Sequence, residues 1–69
     1  MQDDEREPPK YNHAVHTMWL QLIEEESVNL TGWEREFILS LSIRFRMGKK
    51  LSSRKQEFML ERIYAERTP

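Results

Sequence analysis

Apolar residues recur along most of the chain at spacings of three and four, which is typical of amphipathic α-helices. The first apolar stripe follows Asn12, a favourable N-cap residue, and predicts a helix over about residues 12–27. Its members are Val15, Met18, Trp19, Leu22 and Ile23. No segment alternates with a period of two, so we expect an all-α protein without a sheet.

The second helix is predicted over about residues 31–47, because both of its ends carry cap signals. Thr31 and Glu34 have the spacing of a capping box, in which each side chain binds a free backbone N–H group of the other residue. Gly48 follows the last residue, where a left-handed backbone commonly ends a helix.

The third helix is predicted over about residues 53–66, completing a three-helix domain. Ser53 and Gln56 have the spacing of a second capping box. The predicted apolar face consists of Met59, Leu60, Ile63 and Tyr64. We place Glu57 and Glu61 on the opposite, outer face.

The segment that precedes the first helix is rich in acids and proline. Such a composition buries too little apolar surface to offset the entropy cost of ordering the chain. We therefore expect a disordered acidic tail over residues 1–10 and a single helical domain over residues 11–69. The tail either stays solvated or docks on a basic surface, including the chain's own.

The second helix has two apolar stripes, whereas a surface helix usually has one. The first stripe consists of Trp33, Phe37, Ile38, Leu41 and Phe45, which we expect in the core. The second stripe consists of Leu39, Ile43 and Met47 and lies on another side. Either the first helix covers both stripes, or the second stripe is an exposed patch for a partner or a second copy of the chain.

Charge is segregated along the chain, although the formal net charge is only −1. Residues 1–26 hold seven acids and two bases, whereas residues 27–69 hold nine bases and five acids. Six bases form an acid-free basic segment over residues 44–55: Arg44, Arg46, Lys49, Lys50, Arg54 and Lys55. Three roles are open to this basic segment. It pairs with the acidic first part of the chain, it binds an acidic protein surface, or it binds nucleic acid.

Residue chemistry argues against an enzyme. The absence of cysteine excludes disulfides and thiolate zinc sites, and two glycines are too few for a glycine-rich phosphate loop. His13 and His16 share one helix face without a nearby carboxylate, so we expect surface or capping histidines rather than metal ligands. We predict no catalytic, cofactor-binding or metal-binding residues.

No apolar run approaches the roughly 20 residues that span a bilayer, and the acidic N-terminus is unlike a signal peptide. The sequence therefore predicts a cytoplasmic protein without a membrane partner.

The stretch from Trp33 to Tyr64 resembles small accessory proteins of bacteriophages and short C-terminal segments of phage and bacterial DNA-metabolism proteins. The matching residues are Trp33-Glu34-Arg35-Glu36-Phe37-Ile38, Gly48-Lys49-Lys50-Leu51-Ser52, Gln56, Leu60 and Ile63-Tyr64. The chain departs from that pattern by one extra residue between Leu51 and Gln56. The resemblance implies a phage-type origin, in which small proteins without a catalytic site bind a host enzyme and alter its behaviour.

The expected function is therefore that of a regulatory protein in host takeover, which binds a host macromolecular machine. The first candidate for this machine is the transcription machinery, with RNA polymerase as the target, or the DNA-metabolism machinery. The second stripe would provide contact area, while the bases of the basic segment steer docking. One alternative is helix-turn-helix-like binding of DNA or RNA through residues 44–55, and another is a homodimeric structural or assembly protein.

Overall fold

Three helices form the fold in a computed structural model, which describes residues 7–68 of the chain. Helix α1 spans His13–Glu26, α2 spans Gly32–Arg46 and α3 spans Arg54–Arg67. These bounds lie within about a residue of the predicted ones, and residues 7–68 contain no strand, so the all-α prediction is confirmed. Residues 1–6 of the expected tail lie outside the described residues.

Each helix begins at a residue whose side chain caps it. The Asn12 side chain accepts a hydrogen bond from the Val15 N–H group at the start of α1. Thr31 and Glu34 form the predicted capping box of α2 with both of its hydrogen bonds. Ser53 caps α3, but the side chain of Gln56 accepts from Ser52 rather than from Ser53, so the second box is incomplete.

Helix α1 lies at the centre of the packing. It packs most extensively against α3, less extensively against α2, and α2 and α3 contact each other least. The side chains that fill the space between the helices are Trp19, Leu20, Ile23, Ile38, Leu41, Leu51, Leu60 and Ile63. Because α2 packs mainly on α1, much of its own surface remains uncovered.

The buried face of α1 is rotated relative to the predicted stripe. Met18 was expected in the core, yet 47% of its surface is exposed. Leu20 and His16, which lay outside the predicted stripe, are buried instead. The reason is that the Nε2 atom of His16 contacts Glu57 of α3, so the side of α1 that carries His16 faces the core.

Residues 7–11, the N-terminal segment, lie against α3. The Glu7 carbonyl accepts a hydrogen bond from the Arg54 N–H group over 2.8 Å. The N–H groups of Lys10 and Tyr11 donate to the Glu57 carboxylate, each over 2.7 Å. The described part of the expected tail is therefore hydrogen-bonded to the first turn of α3.

Candidate interaction surface

The second stripe of α2 faces solvent. Leu39, Ile43 and Met47 expose 60%, 49% and 68% of their surface. The alternative in which α1 covers both stripes is therefore wrong; the buried residues of α2, Ile38 and Leu41, lie on the other side of the helix.

The two stripes lie nearly opposite each other around α2. At about 100° per residue, Ile43 lies roughly 160° from Leu41 and roughly 140° from Ile38. Those two residues are buried, and Phe37 and Phe45 are half-buried beside them. One helix therefore carries an apolar face on the core and a second apolar face toward solvent, and the second is the kind of surface that marks an interaction site.

Two predicted cations of this surface are engaged within the fold. The Nε atom of Arg44 donates to the Lys50 carbonyl over 2.9 Å and thereby holds the turn after α2. The Nη1 atom of Arg54 donates to Glu57 Oε1 over 3.1 Å, and the Arg54 side chain is half-buried. Both side chains therefore stabilise the chain's own structure.

The other four predicted cations, Arg46, Lys49, Lys50 and Lys55, are exposed. Arg46 makes one long contact of 3.4 Å with the hydroxyl group of Ser42. Arg35, which was not among the predicted contact residues, is also exposed, and its guanidinium makes no ion pair with any residue in 7–68. Helical spacing could have found it, because Arg35 and Arg46 fall within about 40° of Leu39.

The expected pairing between the basic segment and Glu24, Glu25 and Glu26 is not formed. These acids occupy the last turn of α1, whereas the basic segment meets its first turn, where His13 stacks edge-on against Phe45 at 4.7 Å. An α-helix of this length separates its two ends by roughly 20 Å. The acids at residues 3–5 lie outside the described residues.

The placement of Glu57 on an outer face was wrong, because this carboxylate is completely buried. His16 is also buried, which corrects its assignment as a surface or capping residue, and its Nε2 atom lies 2.6 Å from Glu57 Oε2. With Lys10, Tyr11 and Arg54, four groups direct N–H donors at one carboxylate. The buried charge is thus fully hydrogen-bonded, as such charges must be to be tolerated.

Burial by itself would raise the pKa of Glu57. The hydrogen bonds from His16, Lys10 and Tyr11, together with the charge of His16, outweigh that effect and lower the pKa below the ordinary glutamate value. Glu57 is therefore ionised near neutral pH, and it joins the N-terminal segment, α1 and α3.

A second exposed apolar region lies between the start of α2 and the end of α3. Trp33, expected in the core, exposes 59% of its surface and stacks on Phe37 with ring centroids 5.5 Å apart. Phe58 exposes 54% and lines a cleft of about 220 Å³ with Trp33, Met59 and Ile63. Charged side chains beside this cleft form ion pairs with each other. For example, the Nε atom of Arg67 lies 3.1 Å from Oε1 of Glu34.

Within residues 7–68, no group of three or more histidine, cysteine, aspartate or glutamate side chains is arranged to hold a metal ion. The same part of the chain contains no helix that is long and apolar enough to cross a membrane.

The fold and this surface define a small three-helix protein with an apolar helix face open to solvent. Comparison with known proteins adds no relative: no family model, curated protein or solved structure matches the chain.

Proposed function

We propose that this chain is a non-enzymatic regulatory protein that binds another protein through the outer face of α2. Its partner is a host macromolecular machine of the cytoplasm, with RNA polymerase first and the DNA-metabolism machinery second. The choice of machine rests on the resemblance of residues 33–64 to phage accessory proteins. The choice of surface rests on the geometry of α2.

The observation that carries the proposal is the exposure of Leu39, Ile43 and Met47 at spacings i, i+4 and i+8, the last being the C-cap residue of α2. A helix that enters an apolar groove of a partner uses anchors at this kind of spacing. A standard interface buries roughly 800 Å² on each partner. Three side chains provide only part of that area, so the partner also contacts the residues that flank the stripe.

Those flanking residues favour an acidic rim on the partner. Arg35 and Arg46 lie along one side of the second stripe, and Lys49 and Lys50 follow its C-terminal end. The exposed acid Glu36 falls within the stripe at helical spacing, so the basic rim is limited to that side and that end. Exposed charges of one sign at the rim steer association and fix orientation more than they add affinity. The apolar stripe therefore supplies binding energy, and the exposed bases supply direction.

The nucleic-acid alternative has weaker support. Arg44 and Arg54, two of the six bases on which it depends, are bound to Lys50 and to Glu57. An apolar stripe also has no role in binding a phosphate backbone, which requires cations and hydrogen-bond donors.

The test is affinity capture from bacterial lysate at two salt concentrations, with and without nuclease. The immobilised proteins are the parent chain, Ile43→Asp and Met18→Asp. Met18 is a matched control, because it is as exposed as Ile43 but lies on α1. We expect a discrete host protein to be retained by the parent and by Met18→Asp and to be lost with Ile43→Asp, whatever the nuclease treatment.

Two results would contradict the proposal. Retention of the same protein by Ile43→Asp would remove the second stripe from the interface. Recovery of nucleic acid alone, lost as salt rises, would favour the alternative through residues 44–55. Light scattering on the parent chain tests self-association: a dimer that Ile43→Asp converts to a folded monomer would instead support the structural or assembly role.

A further inference from the structure

Two buried imidazole nitrogens have no hydrogen-bond partner among the described residues. They are the Nδ1 atoms of His13 and His16. Buried polar atoms are nearly always paired in folded proteins, so each unpaired one requires an explanation. Both residues line the same pocket of about 250 Å³ near the start of α1, which also includes Tyr11, Lys50 and Leu51. We call it the histidine pocket.

The contact with Glu57 determines which nitrogen of His16 is free. The Glu57 carboxylate is ionised and can only accept, so the Nε2 atom of His16 donates to it over 2.6 Å. That bond fixes the orientation of a ring that is 2% exposed. Nδ1 is the remaining nitrogen, and protonation of the ring turns it into a buried donor that lacks an acceptor.

The charges around the pocket favour an anion over a metal ion. The Lys50 side chain is exposed, and its ammonium forms no ion pair with any of residues 7–68. No carboxylate side chain lines the pocket, and the positive end of the α1 dipole lies beside it. A cation would meet the ammonium group of Lys50 and no carboxylate side chain from the pocket lining.

We propose that the histidine pocket binds a small oxyanion of the size of phosphate or acetate. The oxyanion accepts hydrogen bonds from the protonated Nδ1 atoms of His13 and His16 and pairs with the ammonium group of Lys50. A pocket of this volume lies below the roughly 300–1,000 Å³ of typical sites for drug-sized ligands, so the ligand is small. This site is independent of the second stripe on α2.

Entry of the ligand requires side-chain movement, because both Nδ1 atoms are shielded from solvent. Tyr11 and Lys50 are exposed lining residues and therefore the groups that can open the pocket. The Tyr11 ring packs edge-on against Trp19 with centroids 5.4 Å apart, so its displacement changes the surroundings of the indole. Emission from Trp19 thus reports ligand entry.

Charged and polar groups from several segments surround His16. Glu57 and Arg54 face it from α3, His13 shares its helix, Tyr11 lies on the N-terminal segment and Lys50 lies on the turn before α3.

The experiment is a titration with inorganic phosphate and, separately, acetate at constant ionic strength. Imidazole nitrogen resonances and Trp19 emission are the readouts, with Trp33→Phe removing the second indole. Lys50→Gln is expected to raise the dissociation constant about tenfold, the effect of losing one charge-assisted hydrogen bond. Lys49→Gln is the matched control, because it removes the same charge from a neighbour that does not line the pocket.

Saturable shifts of both histidines that weaken with Lys50→Gln and persist with Lys49→Gln would support the proposal. Shifts from phosphate but not acetate would define a phosphate site, whereas acetate alone would define a carboxylate site. Equal weakening by both lysine variants, or no saturation in either titration, would overturn it. So would saturation by zinc ions without an effect of either anion.

Discussion

The Nε2 atom of His16 lies 2.6 Å from Oε2 of Glu57, although the two residues are 41 positions apart in the chain. The same carboxylate accepts the N–H groups of Lys10 and Tyr11, so one side chain fixes the N-terminal segment, α1 and α3 relative to one another. In a small domain, a hydrogen-bonded carboxylate of this kind helps to orient the helices, because the apolar core alone is limited in size.

Replacing Glu57 by alanine should leave the chain largely unfolded. Removal of one partner from a buried charged network costs about 3–5 kcal/mol, and a domain of this size has only about that much net stability. Urea unfolding followed by circular dichroism measures the loss. Glu24→Ala, at an exposed position of α1, is the control and should change the unfolding free energy little. A fully stable Glu57→Ala protein would contradict the assigned role.

The pH dependence of stability follows from the lowered pKa of Glu57. A group whose pKa is lower in the folded state stabilises the fold above its unfolded-state pKa. That contribution is lost as pH falls from there through the folded-state value. The unfolding free energy of the parent chain should therefore decline below about pH 4.5, the ordinary range for glutamate. Glu57→Gln should show a flatter profile, and identical slopes for the two proteins would refute this account.

Ile38 and Ile43 provide a matched pair of substitutions within α2. Ile38 is 5% exposed and Ile43 is 49% exposed. Ile38→Ala should lower the unfolding free energy by about 2–5 kcal/mol because it opens a cavity in the core. Ile43→Ala should change it by no more than about 0.5 kcal/mol. Thermal unfolding of both variants checks this, and similar losses would mean that the second stripe is buried in solution.

The two glycines should respond in opposite ways to alanine. Gly48 has a φ of +84°, a left-handed backbone that costs other residues roughly 1–2 kcal/mol. Gly32 lacks such a backbone, and an added Cβ meets no atom within 4 Å at either position. Gly48→Ala should therefore destabilise the chain, whereas Gly32→Ala, in the first turn of α2, should be neutral or stabilising. Chemical denaturation curves of the two variants and of the parent chain measure these changes in unfolding free energy.

The helices were predictable because their signals are local. Asn12, Thr31 and Ser53 cap the helices whose starts they predicted, and Gly48 follows the predicted end of α2. Such caps act within four residues of the chain, so the sequence contains all that is needed to recognise them.

The hydrogen bonds around the buried Glu57 carboxylate were harder to predict, although helical spacing partly indicates them. At about 100° per residue, His16 lies roughly 20° from Ile23, and Glu57 lies roughly 20° from Tyr64. Both polar residues therefore fall on the buried faces of their helices. Because both side chains are polar, they were expected at the surface. Hydrogen bonds with groups from other segments offset the energetic cost of burying them. That complementarity is a property of the tertiary fold.

The exposure of the second stripe also depends on tertiary structure. The two apolar stripes of α2 were visible in the sequence, but which of them met α1 depended on how the helices pack. The first stripe was expected in the core, but Leu39 and Ile43 are as apolar as Ile38 and Leu41, so composition could not show whether the first helix also covers the second stripe.

The order of the helices along the chain has a consequence for synthesis on the ribosome. Helix α1 emerges first, but the helix that packs on it most extensively is α3, which emerges last. Until Leu60 and Ile63 have left the exit tunnel, Trp19 and Ile23 lack the side chains that cover them in the finished core. Between the emergence of α1 from the tunnel and that of α3, the nascent chain therefore displays the apolar face of α1 and is open to chaperones.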